Sequence, residues 1–420
     1  MENPDSTATL AKPKAEKSTG QRIVEGLAGL QLATFCLLSL FVLTWFATLE
    51  QTVTGLHPMM EKYFNPSKLF FFPEIGKPFQ EGSPQPITVW FPMISGFWLC
   101  VVFTINLTLG GIIRLKKSPQ KIGILLSHFS IVFMMIAAGV THFTEKRGAL
   151  QVYEGEVSNA AEDYHQQDIE VSEVVDGKVT TVHLVDWEHL KDLSAKKGSQ
   201  RLFRFASLPF DLKITRFVKN GQVLPAKFSP PTGGEKIVDG FWLRQLPTQK
   251  QTEANLGGCE VSILDENGTE VGQTILAVRS FEPATIEVAG NSYLLRMRKK
   301  LWPLPFKVQL DEFRVERDPG TMRAAAFESD VTRITGEEKE EVLIQMNEPM
   351  RREGWTFYQA NWGPQDDPDS KELYSVLEVV QNPSDQWPLY SLVISIAGLC
   401  VHFGLKLFLF IAKPRKSVKV

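Results

Sequence analysis

Lys, Arg, Asp and Glu are missing from four long stretches of the chain, each at least the ~20 residues that an α-helix needs to cross a ~30 Å hydrocarbon layer. Between Glu25 and Glu50 lie 24 uncharged residues, between Glu81 and Arg114 lie 32, between Lys121 and Glu145 lie 23, and between Asp385 and Lys406 lie 20, with LFLFIA beyond the lysine. A soluble core seldom carries four such runs, so the pattern predicts transmembrane helices over residues 26–49, 87–113, 122–144 and 387–411. The first run exceeds the ~7–15-residue apolar region of a cleaved signal peptide and reads as a retained anchor.

From 145 to 386 the period changes from none to two. DIEVSEVVDGKVTTVHLV, FVKNGQVL and CEVSILDENGTEVGQTILAV place Asp176-Gly177, Asn220-Gly221 and Asn267-Gly268 between β-branched runs, which predicts three hairpins. TIEVAGNSYLLRMR, LPFKVQLDEFRVE and GWTFYQANW add strands, VDWEHLKDL is the one stretch with a short helical pattern, and FSPPTGGEK is the best internal break. Strands with one apolar face need a second layer, so this segment is expected to be a β-rich sandwich or barrel-like domain. The fold class is therefore a membrane protein of α+β type, with three N-terminal helices, one C-terminal helix and a large extracytoplasmic β domain.

Composition sharpens the topology. With 43% apolar residues the chain is too hydrophobic for disorder, and its net charge of -3 averages over very unequal segments. Residues 1–26, 114–121 and 412–420 together carry +8, Lys406 adds +1, the loop 50–86 carries -1, and 145–386 carries -11. Basic flanks stay inside, so the tails 1–25 and 412–420 and the loop 114–121 are expected in the cytoplasm, and 50–86 and 145–386 outside. Trp45, Trp90 and Trp387 fall near the outer ends of the first, second and fourth spans, where an indole suits the headgroup layer.

Cysteine usage excludes thiol chemistry by this chain alone. Cys36, Cys100 and Cys400 lie in predicted spans, which leaves Cys259 without a partner in the outer domain, and there is no CxxC or CxxCH. No phosphate-binding loop, HExxH or GxSxG occurs, and His183, Asp186 and His189 in HLVDWEH read as a solvated face rather than a metal site. No nucleic-acid partner is expected; the lipid bilayer is.

An imidazole inside a membrane is costly unless neutral and paired, so the histidines of the spans are the candidate site. His128 stands in the third span and His402 in the fourth, roughly 7 and 5 Å on the cytoplasmic side of the midplane at ~1.5 Å per residue. His142 lies fourteen residues after His128, on nearly the same face but at the outer interface. Any of the three could ligate a haem iron. Helix-to-helix hydrogen bonding is the competing role for His128, and a wetter helix end near Lys406 the competing account of His402.

Local patterns then accumulate: TLEQ at 48–51, INLTLGGIIR at 105–114, KIGILLSHFSIVFMMIAAGVT at 121–141 and GALQVYEGE at 148–156. FESDVTRI at 327–334, IQMNEPMRREGWTFYQANW at 344–362 and VLEVVQNPSDQWPLYSLVISIAGLCVHFG at 376–404 complete them. In this order and spacing the chain resembles the ResB (CcsB) family of the System II cytochrome c maturation pathway over nearly its whole length. The resemblance implies a bacterial cytoplasmic (inner) membrane protein with its large domain periplasmic or extracellular. It implies a partner of the multi-span ResC (CcsA) type carrying a WWD signature, which this chain lacks, and a role in moving haem b outward for attachment to the CxxCH motifs of apocytochrome c. At most the chain would be one subunit of a haem lyase complex. The family's membrane haem-ligand histidine, in the span before the large domain, carries over onto His128, with the second imidazole coming from the partner; His402 has no such counterpart.

Two other classes stay open from the residues alone. One is a membrane scaffold whose outer domain assembles a different complex, with His128 a packing residue. The other is a transporter subunit with His128 and Lys406 on a polar path, against which the absence of inverted repeats argues.

Overall fold

The computed structural model describes residues 18–76, 86–194, 198–280, 282–320, 324–365 and 372–412. The basic residues Lys12, Lys14, Lys17, Lys77, Lys413, Arg415, Lys416 and Lys419, which enter the charge arithmetic, lie outside the described residues.

A short helix, α1 (Thr19–Leu27), opens on a capping box: Gln21 N donates to Ser18 Oγ and Ser18 N to Gln21 Oε1 (3.3 and 3.1 Å). It stops before Gly29, and α2 (Leu30–Thr54) starts afresh beyond it. The first apolar run thus divides between two helices, and its long one begins at 30 rather than 26 and continues to 54. Along α2 the hydroxyls of Thr34, Thr44 and Thr48 donate to carbonyls four residues back (3.0, 2.8 and 2.9 Å), which hides their protons from hydrocarbon. Gly55, at φ 95°, turns the chain into α3 (Leu56–Tyr63).

The second span begins at Gly96, not 87. Ile87–Thr88 and Met93–Ile94 are short strands, paired with Glu74–Ile75 and Phe70–Phe71, and only then does α4 (Gly96–Asn106) start. It passes into a π-helical turn over Leu107–Ile113. Next come α5 (Ile122–Thr144) and, after the β domain, α6 (Trp387–Ile411). Four helical segments, Leu30–Thr54, Gly96–Ile113, Pro119–Thr144 and Trp387–Ile411, are long and apolar enough to cross a membrane.

These helices pack in a row. α2 lies on α4 through Leu43, Ala47 and Leu99, and α5 meets the second span where Val132 joins Cys36, Phe103 and Leu107. On its other side α5 receives α6 along a seam of small residues. A Cβ on Gly123 would stand 2.5 Å from Gly398 O, so only glycine permits this approach. Ser391 Oγ donates to Ser130 O (2.7 Å) and Ser384 Oγ to Ala137 O (3.1 Å).

Only Glu145 separates α5 from the strand Lys146–Tyr153, and the strand Tyr374–Gln381 returns to α6 through residues 382–386. Those two strands are antiparallel partners, from Tyr374 opposite Tyr153 to Gln381 opposite Lys146, just as the two helices are neighbours. They belong to a ten-stranded sheet in which two very long strands, Val157–Val175 and Asn291–Arg317, run side by side. The pairing slips between Lys299 and Leu301 and again between Pro303 and Val308, and these irregularities divide the domain into two lobes.

Near the helices the sheet curls over a core that includes Leu150, Val308, Leu310, Phe357 and Val379, without closing into a barrel. Beyond the slips, a second sheet of Glu270–Ala277, Gly258–Leu264, Asp211–Val218 and Arg201–Phe203 covers the far ends of the long strands over Ile169, Phe210, Ile263 and Leu295. Cys259 is buried there, which pushes its thiol pKa up.

Two of the three expected hairpins form. Asp176 and Gly177 both take positive φ (50° and 72°) between Val157–Val175 and Lys178–Val185, and Gly268 (φ 80°) turns Gly258–Leu264 into Glu270–Ala277. Asn220-Gly221 does not make a hairpin. The strand Gly221–Pro225 leaves its predecessor to pair with Phe241–Gln245, because Asn220 Nδ2 donates to Pro247 O (2.7 Å) and Gly221 N to Leu256 O (2.8 Å). FSPPTGGEK is a loop inside that small sheet and marks no lobe boundary. VDWEHLKDL yields one 3₁₀ turn, Trp187–His189, with Leu190 and Leu193 buried behind it.

Candidate functional site

His128 sits on the face of α5 turned to the second span. Its Nδ1 lies 2.8 Å from Ile124 O, and a carbonyl can only accept, so Nδ1 carries the proton. In the neutral ring this tautomer leaves the lone pair on Nε2. A backbone carbonyl holding one ring nitrogen while the other faces outward is the usual support of a metal-ligating histidine. Nε2 has no hydrogen-bond partner among the described residues, nor is it sealed inside the bundle.

The second span is shaped around this ring. Asn106, buried in the membrane-length segment, donates through Nδ2 to Leu27 O and Gly29 O (2.6 and 2.9 Å), carbonyls at the break between α1 and α2. Directly after it the winding becomes π-helical, a change that recurs at functional sites. Gly110 then lies against Ala28 O, which a Cβ would approach to 2.6 Å, and Gly111 lies against the His128 imidazole.

His402 occupies a different seam. Its backbone N and Cβ are within 2.6 and 2.8 Å of where a Cβ on Gly123 would stand, and its Nδ1 is the one buried side-chain nitrogen or oxygen without a partner among the described residues. The register of α5 against α6 sets it level with Gly123, about 7.5 Å nearer that helix end than His128 at 1.5 Å per residue. The nearly equal depths expected from span centres are therefore not observed, because α6 is shifted along α5. His142 is exposed near the other end of α5, its ring centroid 6.0 Å from Phe97 and 4.9 Å from Phe143. The three histidines do not converge on one point.

At the end of the bundle that carries the β domain, two polar arrangements stand out. Glu50, 1% exposed, accepts from Lys62 Nζ (2.7 Å), Tyr63 Oη (2.9 Å) and Glu74 N (2.7 Å) beside a 410 Å³ cavity walled by Phe70, Phe71 and Phe72. Burial, then the carboxylate it faces, pushes the Tyr63 phenol upward. A few residues on, the imidazoles of His57 in α3 and His165 in the β domain meet with centroids 3.7 Å apart, and Thr252 Oγ1 lies 3.2 Å from His165 Nδ1. Burial, then the facing His57, lowers His165 to about 4.

In HLVDWEH, Asp186 accepts from Lys300 Nζ (2.6 Å), and no group of three or more His, Cys, Asp or Glu among the described residues is placed to hold a metal. Sequence reasoning singles out His128, His402 and His142 but misses Gly111, Asn106, Glu50 and the His57–His165 contact. The adjacent glycines in LTLGGII and the acid closing the first apolar run were the available signals.

No curated protein matches the chain. A family model described as the ResB-like family matches residues 272–373, a stretch that includes the longest strand, Asn291–Arg317, and ends before the strand leading to α6. Over that stretch, about a quarter of its length, the chain is similar to the ResB-like family.

Proposed function

We propose that this chain is a haem-handling membrane subunit of cytochrome c biogenesis, and that His128 supplies one axial ligand to haem in transit between it and a ResC-like partner. The observation that carries this is the state of the imidazole. Nδ1–H is committed to Ile124 O, His128 is half-buried, and Nε2 has no hydrogen-bond partner among the described residues. Haem iron takes axial ligands on both faces, and bis-imidazole ligation needs one more ring than this site provides. The ligand geometry thus favours a haem shared between subunits over one enclosed by this chain.

The family match supports the pathway. The charge distribution supports an orientation with α1 and the 114–121 loop in the cytoplasm and the β domain outside, where a partner and apocytochrome c would meet it. Haem there is cargo, b-type until it is attached to CxxCH.

The test is the spectrum of the chain purified with its WWD-containing partner. A Soret band is expected, weakened in His128→Ala and restored by added imidazole. A colourless complex, or a band indifferent to His128→Ala, would remove His128 from the pathway of haem. His402→Ala and His142→Ala are expected to leave the band in place, since neither ring is set beside His128.

A further inference from the structure

We propose, on the reading of His128 as a haem ligand, that Gly111 is its positioning residue: the bare backbone of the π turn is what holds Nε2 open. The requirement is for space, not for backbone freedom, because Gly111 is not among the glycines with positive φ. A methyl group on it would stand 2.5 Å from His128 Cδ2, 2.8 Å from Cγ and 3.2 Å from Nε2. The first two are overlaps, and the third puts carbon directly beside the ligand atom.

The imidazole has no cheap way to yield. It is tied through Nδ1 to Ile124 O, and swinging aside breaks that bond. Nor can α5 retreat as a whole. It is held on the second span by Val132 against Cys36, Phe103 and Leu107, and on α6 by the Gly123–Gly398 contact and the Ser391–Ser130 hydrogen bond. The second span is equally fixed, with Asn106 donating to Leu27 O and Gly29 O and Gly110 against Ala28 O. Ring and glycine are pressed together by two independently anchored helices. In straight α winding the residues after Asn106 would face elsewhere, so the π turn is the device that brings Gly111 to the ring.

Two measurements test this on the full chain in detergent. The first needs no haem. Gly111→Ala should lower the thermal unfolding midpoint by several degrees, and the loss should vanish in a His128→Gly background, where no ring remains to collide with; Gly139→Ala, on the same helix as His128 with open space around it, should be silent in both. Equal losses with and without the ring would overturn the contact. The second uses the haem-loaded complex with the partner. Gly111→Ala should cut haem occupancy about tenfold or convert a low-spin six-coordinate spectrum to high-spin, while the partner stays bound. An unchanged low-spin spectrum in a folded Gly111→Ala complex would overturn the positioning role. If the coupling between Gly111 and His128 is found but the unaltered complex never takes up haem, the ring contact stands and the haem-ligand reading falls.

Discussion

At the scale of single residues, Glu50 is the most committed charge in the helical part. Its carboxylate serves an ammonium and a phenol from the end of α3 and a backbone N–H from Glu74, and Lys62 also reaches Glu74 at 3.3 Å. Glu50→Ala leaves the Tyr63 hydroxyl and the Glu74 N–H without their acceptor, while Lys62 keeps Glu74, and should cost on the order of 2–5 kcal/mol, whereas Glu50→Gln, which keeps an acceptor, should cost less than half of that. Unfolding of both variants in detergent checks the ratio. Glu50 could be read from the sequence as the end of a span, but its partners could not, since nothing in a one-dimensional pattern says that Lys62, Tyr63 and Glu74 fold back onto it. His128 was legible for a simple reason: an ionisable ring in hydrocarbon is expensive enough to need a purpose. Gly111 was not, because glycines are frequent in membrane helices and only the neighbour across the gap gives this one a role.

Among elements, the pairing of α5 with α6 depends on the absence of side chains. Gly123→Leu should separate them, since the new atoms would enter the space of Gly398 O and His402 N. A cysteine pair at Ser130 and Ser391 reports this: oxidation should join the two helices, so that fragments cut apart in the β domain run together until reduced, and adding Gly123→Leu should abolish the link. Retained cross-linking would mean that the seam tolerates bulk. The charges bracketing the third apolar run coincide with the ends of α5, which starts after Lys121 and stops before Glu145, whereas α6 continues through Lys406 to Ile411. The second span starts late for a physical reason. ITVW is apolar enough for a membrane helix, yet Ile87 and Thr88 are spent on pairing with Glu74–Ile75, and hydropathy does not distinguish a short apolar strand from the first turns of a helix. Asn220-Gly221 misleads in the same way: the dipeptide suits a tight turn, but the long-range bonds of Asn220 to Pro247 and Gly221 to Leu256 decide the path.

For the whole molecule, the question is how the β domain is seated on the helices. One contact is Gly55 against the Lys250 carbonyl, where a Cβ would come within 2.3 Å, and another is the His57–His165 pair. Around that pair stand Glu61, 3.9 Å from His57, together with Asp163, Glu253 and Lys299. His165 is lowered from its ordinary value of 6.5 to about 4, so between those limits the unfolded chain binds a proton that the folded one refuses. Stability is therefore complete above pH 6.5, falls as the pH drops toward 4 and levels off below; the loss over that window is at most about 3 kcal/mol. His165→Gln should flatten this part of the profile, measured as the midpoint of thermal unfolding against pH, and an unchanged slope would assign the acid sensitivity to other groups. The strand pair Lys146–Tyr153 and Tyr374–Gln381 continues into α5 and α6, and Arg147–Glu378 and Arg351–Asp385 ion pairs brace the join. Mechanically this is a mast stepped on twin keels. With one residue between strand and helix on one side and five on the other, a sideways load on the β domain has little slack in which to dissipate, and should emerge as a tilt of the helix that bears His128.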